Sequence, residues 1–388
     1  QGRPGGPFGR LSHVARFHRN GRPRAAVLFC RCLSLPRRRG GRSLAGMRIL
    51  LASLLMFAPA AAAPAAPRGE LPLQPLVEPS PHVDGAGFAA RLLSPLSARD
   101  VARFLAHEGR TLAGESFTPG EHAIDLYVPA NEPAAGYGLL VFVPPMDQFA
   151  IPRDWKPELE RRGIVLAMLR DAGNEADVFG RRIPLVLHAR HHVARRYRID
   201  PARTWVGGFS GGARLAQRVA LAWPDLFTGS LQFAGSVVVG ENLMPPPARE
   251  LTALARTRSR FVLASGSLDG PNRRNDAKAR ERLESLCFAS VRSLVPSRLE
   301  HWVPDRRGFA RALELLEAPA DPARGDCERA LEAALAAELD TVQALLERGD
   351  AVAARDALVA LDDRYGGLLA PRSLALAARI EQALAAAD

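Results

Sequence analysis

The chain has 388 residues, 47% of them hydrophobic, which suits one large domain with a smaller companion and excludes a collagen-like or low-complexity protein. Its formal charge of +11 suggests a polyanion binder, but the charge is unevenly placed. Eleven of the 52 basic residues are Arg within positions 1–46, which hold no acidic residue; the other 41 equal the 41 acidic residues, so the body is neutral and nucleic acid is not an expected partner.

Met47-Arg48, an apolar run from Ile49 to Phe57 and an Ala/Pro-rich stretch have the form of a signal peptide. It is assigned to residues 47–66, with cleavage between Ala60 and Ala66. The run falls short of the roughly 20 apolar residues that span a bilayer, so no membrane anchor is expected after cleavage. Residues 1–46 are then expected to be a basic, disordered segment upstream of the true start. An Arg-rich organelle transit segment and a basic tail are the alternatives. A signal peptide implies a periplasmic or secreted protein in an oxidising compartment. Cys287 and Cys327 would remain after cleavage, as a disulfide or as two buried thiols.

Residues 67–83 are Pro-rich and read as a linker. Residues 84–318 alternate strand-like and helix-like segments, the pattern of a mainly parallel sheet covered by helices. The predicted strands are Ala123–Val128, Gly138–Val143, Gly163–Leu169, Thr204–Gly208, Ser230–Ala234, Arg260–Ser265 and Val291–Val295. The predicted helices are Arg182–Tyr197, Gly211–Ala222, Arg273–Cys287 and Gly308–Leu316. Residues 319–388 are Ala-rich and hold no strand-like run. Three helices are predicted there, near 326–348, 350–362 and 371–387, forming a small tetratricopeptide-like appendage open to a protein partner.

The chemistry centres on Gly208-Phe209-Ser210-Gly211-Gly212. An apolar strand enters this G-x-S-x-G and a helical pattern leaves it, the context of a nucleophile elbow. Ser210 is the candidate nucleophile, and the Gly211 N–H at the helix N-terminus is a candidate oxyanion donor. Such a Ser needs a base, and the base an orienting acid, in the chain order Ser, acid, His. Of the nine His, only His301 follows Ser210. Asp269, in the loop after the strand Arg260–Ser265, is the candidate acid. Asp276 comes second, and Asp305 lies too near His301 in sequence. The loop Pro144-Pro145-Met146-Asp147 should carry the second oxyanion donor. Proline has no N–H, so Met146 is the first residue able to serve. Trp302, beside the candidate base, is expected either to line the substrate site or to pack. His188, His191 and His192 lie at helical spacing without a carboxylate partner, so a solvated helix face is expected there and no metal or cofactor.

Several pieces together resemble the polyhydroxybutyrate-depolymerase/feruloyl-esterase group of α/β-hydrolases. They are Gly138–Val143, Ala172-Gly173-Asn174, Tyr197–Arg203 with its Ile-Asp-Pro-x-Arg lead into the elbow, Phe233–Ser236, and the loops of Asp269 and His301. The resemblance covers residues 137–318. It implies the α/β-hydrolase fold and cleavage of a small-molecule or oligomeric carboxylic ester through an acyl-enzyme. Ser210 would be nucleophile, His301 general base and Asp269 its orienting acid. Pro144-Pro145 departs from the group's usual His-Gly. A serine peptidase, an acyltransferase and a non-catalytic envelope binding protein are the other readings.

Overall fold

The computed structural model describes residues 66–111, 117–241, 243 and 248–387. The segment 1–46 and all of the expected signal peptide but Ala66 lie outside the described residues. Eight strands form one sheet: β1 (Gly69–Pro75), β2 (Ala123–Val128), β3 (Tyr137–Val143), β4 (Ile164–Leu169), β5 (Ile199–Phe209), β6 (Gly229–Phe233), β7 (Arg260–Ala264) and β8 (Val291–Leu294). Their order is β1-β2-β4-β3-β5-β6-β7-β8. β1 and β2 are antiparallel to their neighbours, and the other six strands run parallel. This is the α/β-hydrolase topology.

Every residue of β3 and β4 is buried, because helices cover both faces of the sheet. Alternation along β3 sorts the side chains. Leu139, Val141 and Val143 join one core, while Leu140 and Phe142 join the other. The first core packs against α4 (Ile183–Arg196) and α5 (Gly211–Ala222). The second packs against α3 (Lys156–Arg162) and α8 (Arg306–Glu317), with Trp155 stacked on Phe309 at 4.1 Å. Four helices were not predicted: α1 (Gly85–Ala90), α2 (Pro95–His107), α3 and α6 (Arg249–Arg258).

The expected linker 67–83 is corrected. Gly69–Pro75 is the edge strand β1, paired with β2 from Gly69↔Val128 to Pro75↔Ala123. Its two prolines are tolerated because an edge strand leaves one side of its backbone unpaired. The register shifts between Leu71 and Gln74, where Leu73 adopts φ 53° and donates its N–H to Asp125 Oδ1 at 2.9 Å. The expected solvated His face is also corrected. His188 and His192 are fully buried, and His188 Nδ1 accepts the Ser80 N–H at 2.8 Å. Burial pushes His192 down to about 4.

The C-terminal region forms α9 (Gly325–Glu347), α10 (Ala351–Tyr365) and α11 (Arg372–Ala385). Its buried Leu335, Leu339, Leu358, Leu361 and Ile380 belong to the same core as the sheet face. Cys287, just after α7 (Gly270–Ser285), forms a disulfide with Cys327 of α9. Asp362 of α10 is buried against α2, where it accepts hydrogen bonds from Ser94 and Ser97.

Candidate active site

The elbow between β5 and α5 holds Ser210 at φ 54°, ψ −117°, a region L-residues rarely occupy. Two close approaches permit it. A Cβ on Gly208 would lie 2.3 Å from the Gly212 carbonyl carbon, and one on Gly212 would lie 1.9 Å from the Val143 carbonyl oxygen. Glycine at both positions lets strand, helix and the end of β3 meet at one point. The Ser210 N–H is tied to the Phe233 carbonyl at 2.8 Å, which fixes the turn against β6.

Asp269 and His301 come from the loops that leave β7 and β8. These loops are laced together: the Leu268 N–H donates to the Leu299 carbonyl, the Ser267 N–H to the Pro296 carbonyl, and the Arg298 N–H to Ser267 Oγ. Parallel pairing of β7 with β8 sets them side by side. The result is a chain of hydrogen bonds across three loops. His301 Nε2 lies 3.0 Å from Ser210 Oγ, and His301 Nδ1 lies 2.8 Å from Asp269 Oδ2. The His301 side chain is 47% exposed, whereas that of Asp269 is 5% exposed. The ring is thus reachable from solvent while its acid partner is not.

Burial acts to raise the Asp269 carboxyl. Hydrogen bonds from His301 and from Asn272 outweigh it and hold the group below the usual carboxylate range. Asp269 also caps α7, accepting the Asn272 N–H at 3.4 Å. Asp276, the second candidate acid, is bonded elsewhere. It accepts 2.6 Å hydrogen bonds from Ser236 Oγ and Ser265 Oγ, and burial pushes its carboxyl up.

Gly211 opens α5, so its N–H is among those at the helix N-terminus with no partner inside the helix. Met146 stands in the loop after β3 and is 41% exposed. That loop is pinned to the one after β4: Pro145 O accepts the Asn174 N–H at 2.9 Å, and Asp147 Oδ1 accepts the Gly173 N–H at 3.0 Å. The Asn174 carboxamide presses on Gly211, at the position a Cβ there would take, and its Oδ1 is buried without a hydrogen-bond partner among the described residues. Trp302 is half exposed and packs on Phe209 at 5.4 Å and Phe149 at 5.9 Å. Met146, Trp302 and Leu268 therefore present apolar surface in the loops around Ser210. Sequence reasoning missed the local roles of Asn272 and Asn174, since a neutral amide carries no order rule like that of a triad. Among the described residues no cluster of His, Cys, Asp and Glu could hold a metal ion, and no helix is long and apolar enough to cross a membrane.

No family model and no curated protein matches this chain. Among solved structures it is similar to the feruloyl esterase module from Clostridium thermocellum, at 12% identity and TM-score 0.38 over 50% of this chain and 81% of that one. It is also similar to the acetyl xylan esterase from Aspergillus awamori, at 15% identity and TM-score 0.38 over 50% and 94%. The acylaminoacyl peptidase from Pyrococcus horikoshii is similar at 13% identity and TM-score 0.38 over 50% and 39%. The chain spans 33% to 39% of the length of the peptidase structures it resembles.

Proposed function

We propose that this protein is a serine hydrolase that cleaves carboxylic esters through an acyl-enzyme on Ser210. The observation that carries the reading is the Ser210–His301–Asp269 chain of hydrogen bonds, 3.0 Å and 2.8 Å long, at a strained elbow. In this reading His301 Nε2 takes the Ser210 proton as Oγ bonds to the ester carbonyl carbon. Asp269 holds the ring so that Nδ1 carries its proton and Nε2 is free to accept. The carbonyl oxygen becomes an oxyanion facing the Gly211 N–H, with a second donor from the loop of Met146. Collapse breaks the C–O bond, and His301 returns the proton to the leaving alcohol. Water then repeats the sequence on the acyl-enzyme and restores Ser210.

Exposure of His301 supports hydrolysis, because water reaches the base without a lid having to open. The apolar surface of Trp302 and Met146 would receive the acyl or alcohol portion of a small-molecule or oligomeric ester. The Cys287–Cys327 disulfide supports a periplasmic or secreted setting. The reading is tested by turnover of p-nitrophenyl esters of increasing acyl length beside peptide anilides. Ester turnover with little or no anilide turnover is expected. Anilide turnover that exceeds ester turnover would replace the esterase reading with the peptidase one.

A further inference from the structure

We propose that Asn272 is a positioning residue of the reaction, fixing the Asp269 carboxylate through an amide that Arg214 holds in one orientation. The proposal rests on the serine-hydrolase reading above. Asn272 stands in the first turn of α7, three residues after Asp269. A residue there ordinarily gives its cap only a backbone N–H. Here the side chain adds more: Asn272 Nδ2 lies 3.0 Å from Asp269 Oδ1 and 2.9 Å from Asp269 Oδ2. It also lies 3.0 Å from His301 Nδ1.

The orientation of the amide follows from donor and acceptor chemistry. A guanidinium only donates and a carboxylate only accepts. Arg214 Nη2, from the first turn of α5, points at Asn272 Oδ1 at 3.5 Å. Only one setting of the amide satisfies both neighbours, with its oxygen toward Arg214 and its NH2 toward Asp269. When His301 Nδ1 donates its proton to Asp269 Oδ2, it has no lone pair free for Asn272. The amide therefore lies beside the ring and shares the carboxylate with it. Asp269 then has three donors, the His301 ring, the Asn272 amide and the Asn272 backbone N–H, and no freedom to rotate.

The charged groups around this assembly come from three elements. Arg214 approaches from α5, Asp276 sits further along α7 and is bonded to Ser236 and Ser265, and Glu300 precedes His301 in its loop. The hydrogen bonds that lower the Asp269 carboxyl come from His301 and Asn272. Loss of the amide has two consequences. The carboxylate is less well aimed, which slows the step that needs His301 in register with Ser210. Its negative charge is also shared by one donor fewer, which favours the protonated imidazole.

The test is Asn272→Ala assayed against p-nitrophenyl acetate across pH. On the scale set by outer hydrogen-bond partners of catalytic ligands, kcat should fall by about 10–100-fold. KM should stay within about two-fold, since the amide does not touch substrate. The acid limb of kcat/KM should move up by about one pH unit. Asn272→Asp keeps the size of the side chain and adds a like charge beside Asp269, so its acid limb should move up further. An unmoved acid limb in folded Asn272→Ala and Asn272→Asp would overturn the proposal, leaving Asn272 as a helix cap only. Failure of the underlying reading looks different: Ser210→Ala would then keep its ester turnover.

Discussion

The two ends of helix α7 do different work. Its N-terminus carries Asp269 and Asn272 to His301, with the side chains held by hydrogen bonds that sort donors from acceptors. Its C-terminus holds the tail: Arg282 donates to the Arg364 carbonyl of α10, and Cys287, two residues past the helix, is bonded to Cys327 of α9. The first end lies beside a half-exposed ring with its cap Asp269 buried, and the second is packed into the core. One rigid helix thus joins the candidate chemistry to the docking of the tail. The tail's apolar side chains complete the core beneath one face of the sheet.

The largest effect that would sharpen this contrast lies at the first end. Asp269→Asn should lower kcat on a small ester on the order of 10⁴-fold, since the imidazole loses the partner that sets its tautomer. Asp276→Asn, seven residues further along the same helix, should keep kcat within a few-fold and lower stability by about 1 kcal/mol, because it disturbs the Ser236 and Ser265 bonds. Steady-state kinetics and urea midpoints on both variants separate the two. The reverse pattern would move the orienting acid to Asp276.

A smaller effect is expected where the tail meets α2. Burial pushes the Asp362 carboxyl from 3.8 up to about 6, against the hydrogen bonds of Ser94 and Ser97 that lower it. Its Oδ1 has no hydrogen-bond partner among the described residues. The folded state therefore holds this proton more tightly than the unfolded chain does. That contribution to stability is fully present below the ordinary carboxyl value and is lost as pH rises through about 6. Asp362→Asn should flatten the loss and raise stability at pH 8 by about 1–3 kcal/mol. Urea midpoints at pH 5 and pH 8 measure it. Equal pH dependence in both proteins would show that Asp362 does not govern tail docking.

The two ends also differed in how far the sequence disclosed them. Around Ser210, chemistry limits the choices: one G-x-S-x-G follows a strand, and one His follows that Ser. Those constraints led to Asp269 and His301 without any knowledge of distance. β3 and β4 were legible because they are apolar on both faces, whereas β1 was hidden by two prolines that only an edge position excuses. The tail was legible as three helices from its Ala, Leu and charge spacing. Its docking was not, since a buried Leu358 reads the same whether it packs on a partner or on its own body. The burial of His188 and His192 was missed for a related reason. Arg190, Arg195 and Arg196 interleave with them and give the helix a polar look, while the side facing the sheet is set by tertiary packing.

The central claim is that Ser210 is the activated nucleophile. A fluorophosphonate probe on the folded protein, followed by peptide mass spectrometry, tests it most directly. The probe should attach once per chain, at Ser210, and Ser210→Ala should not react. Attachment at another residue, or no reaction by folded wild-type protein, would contradict the account.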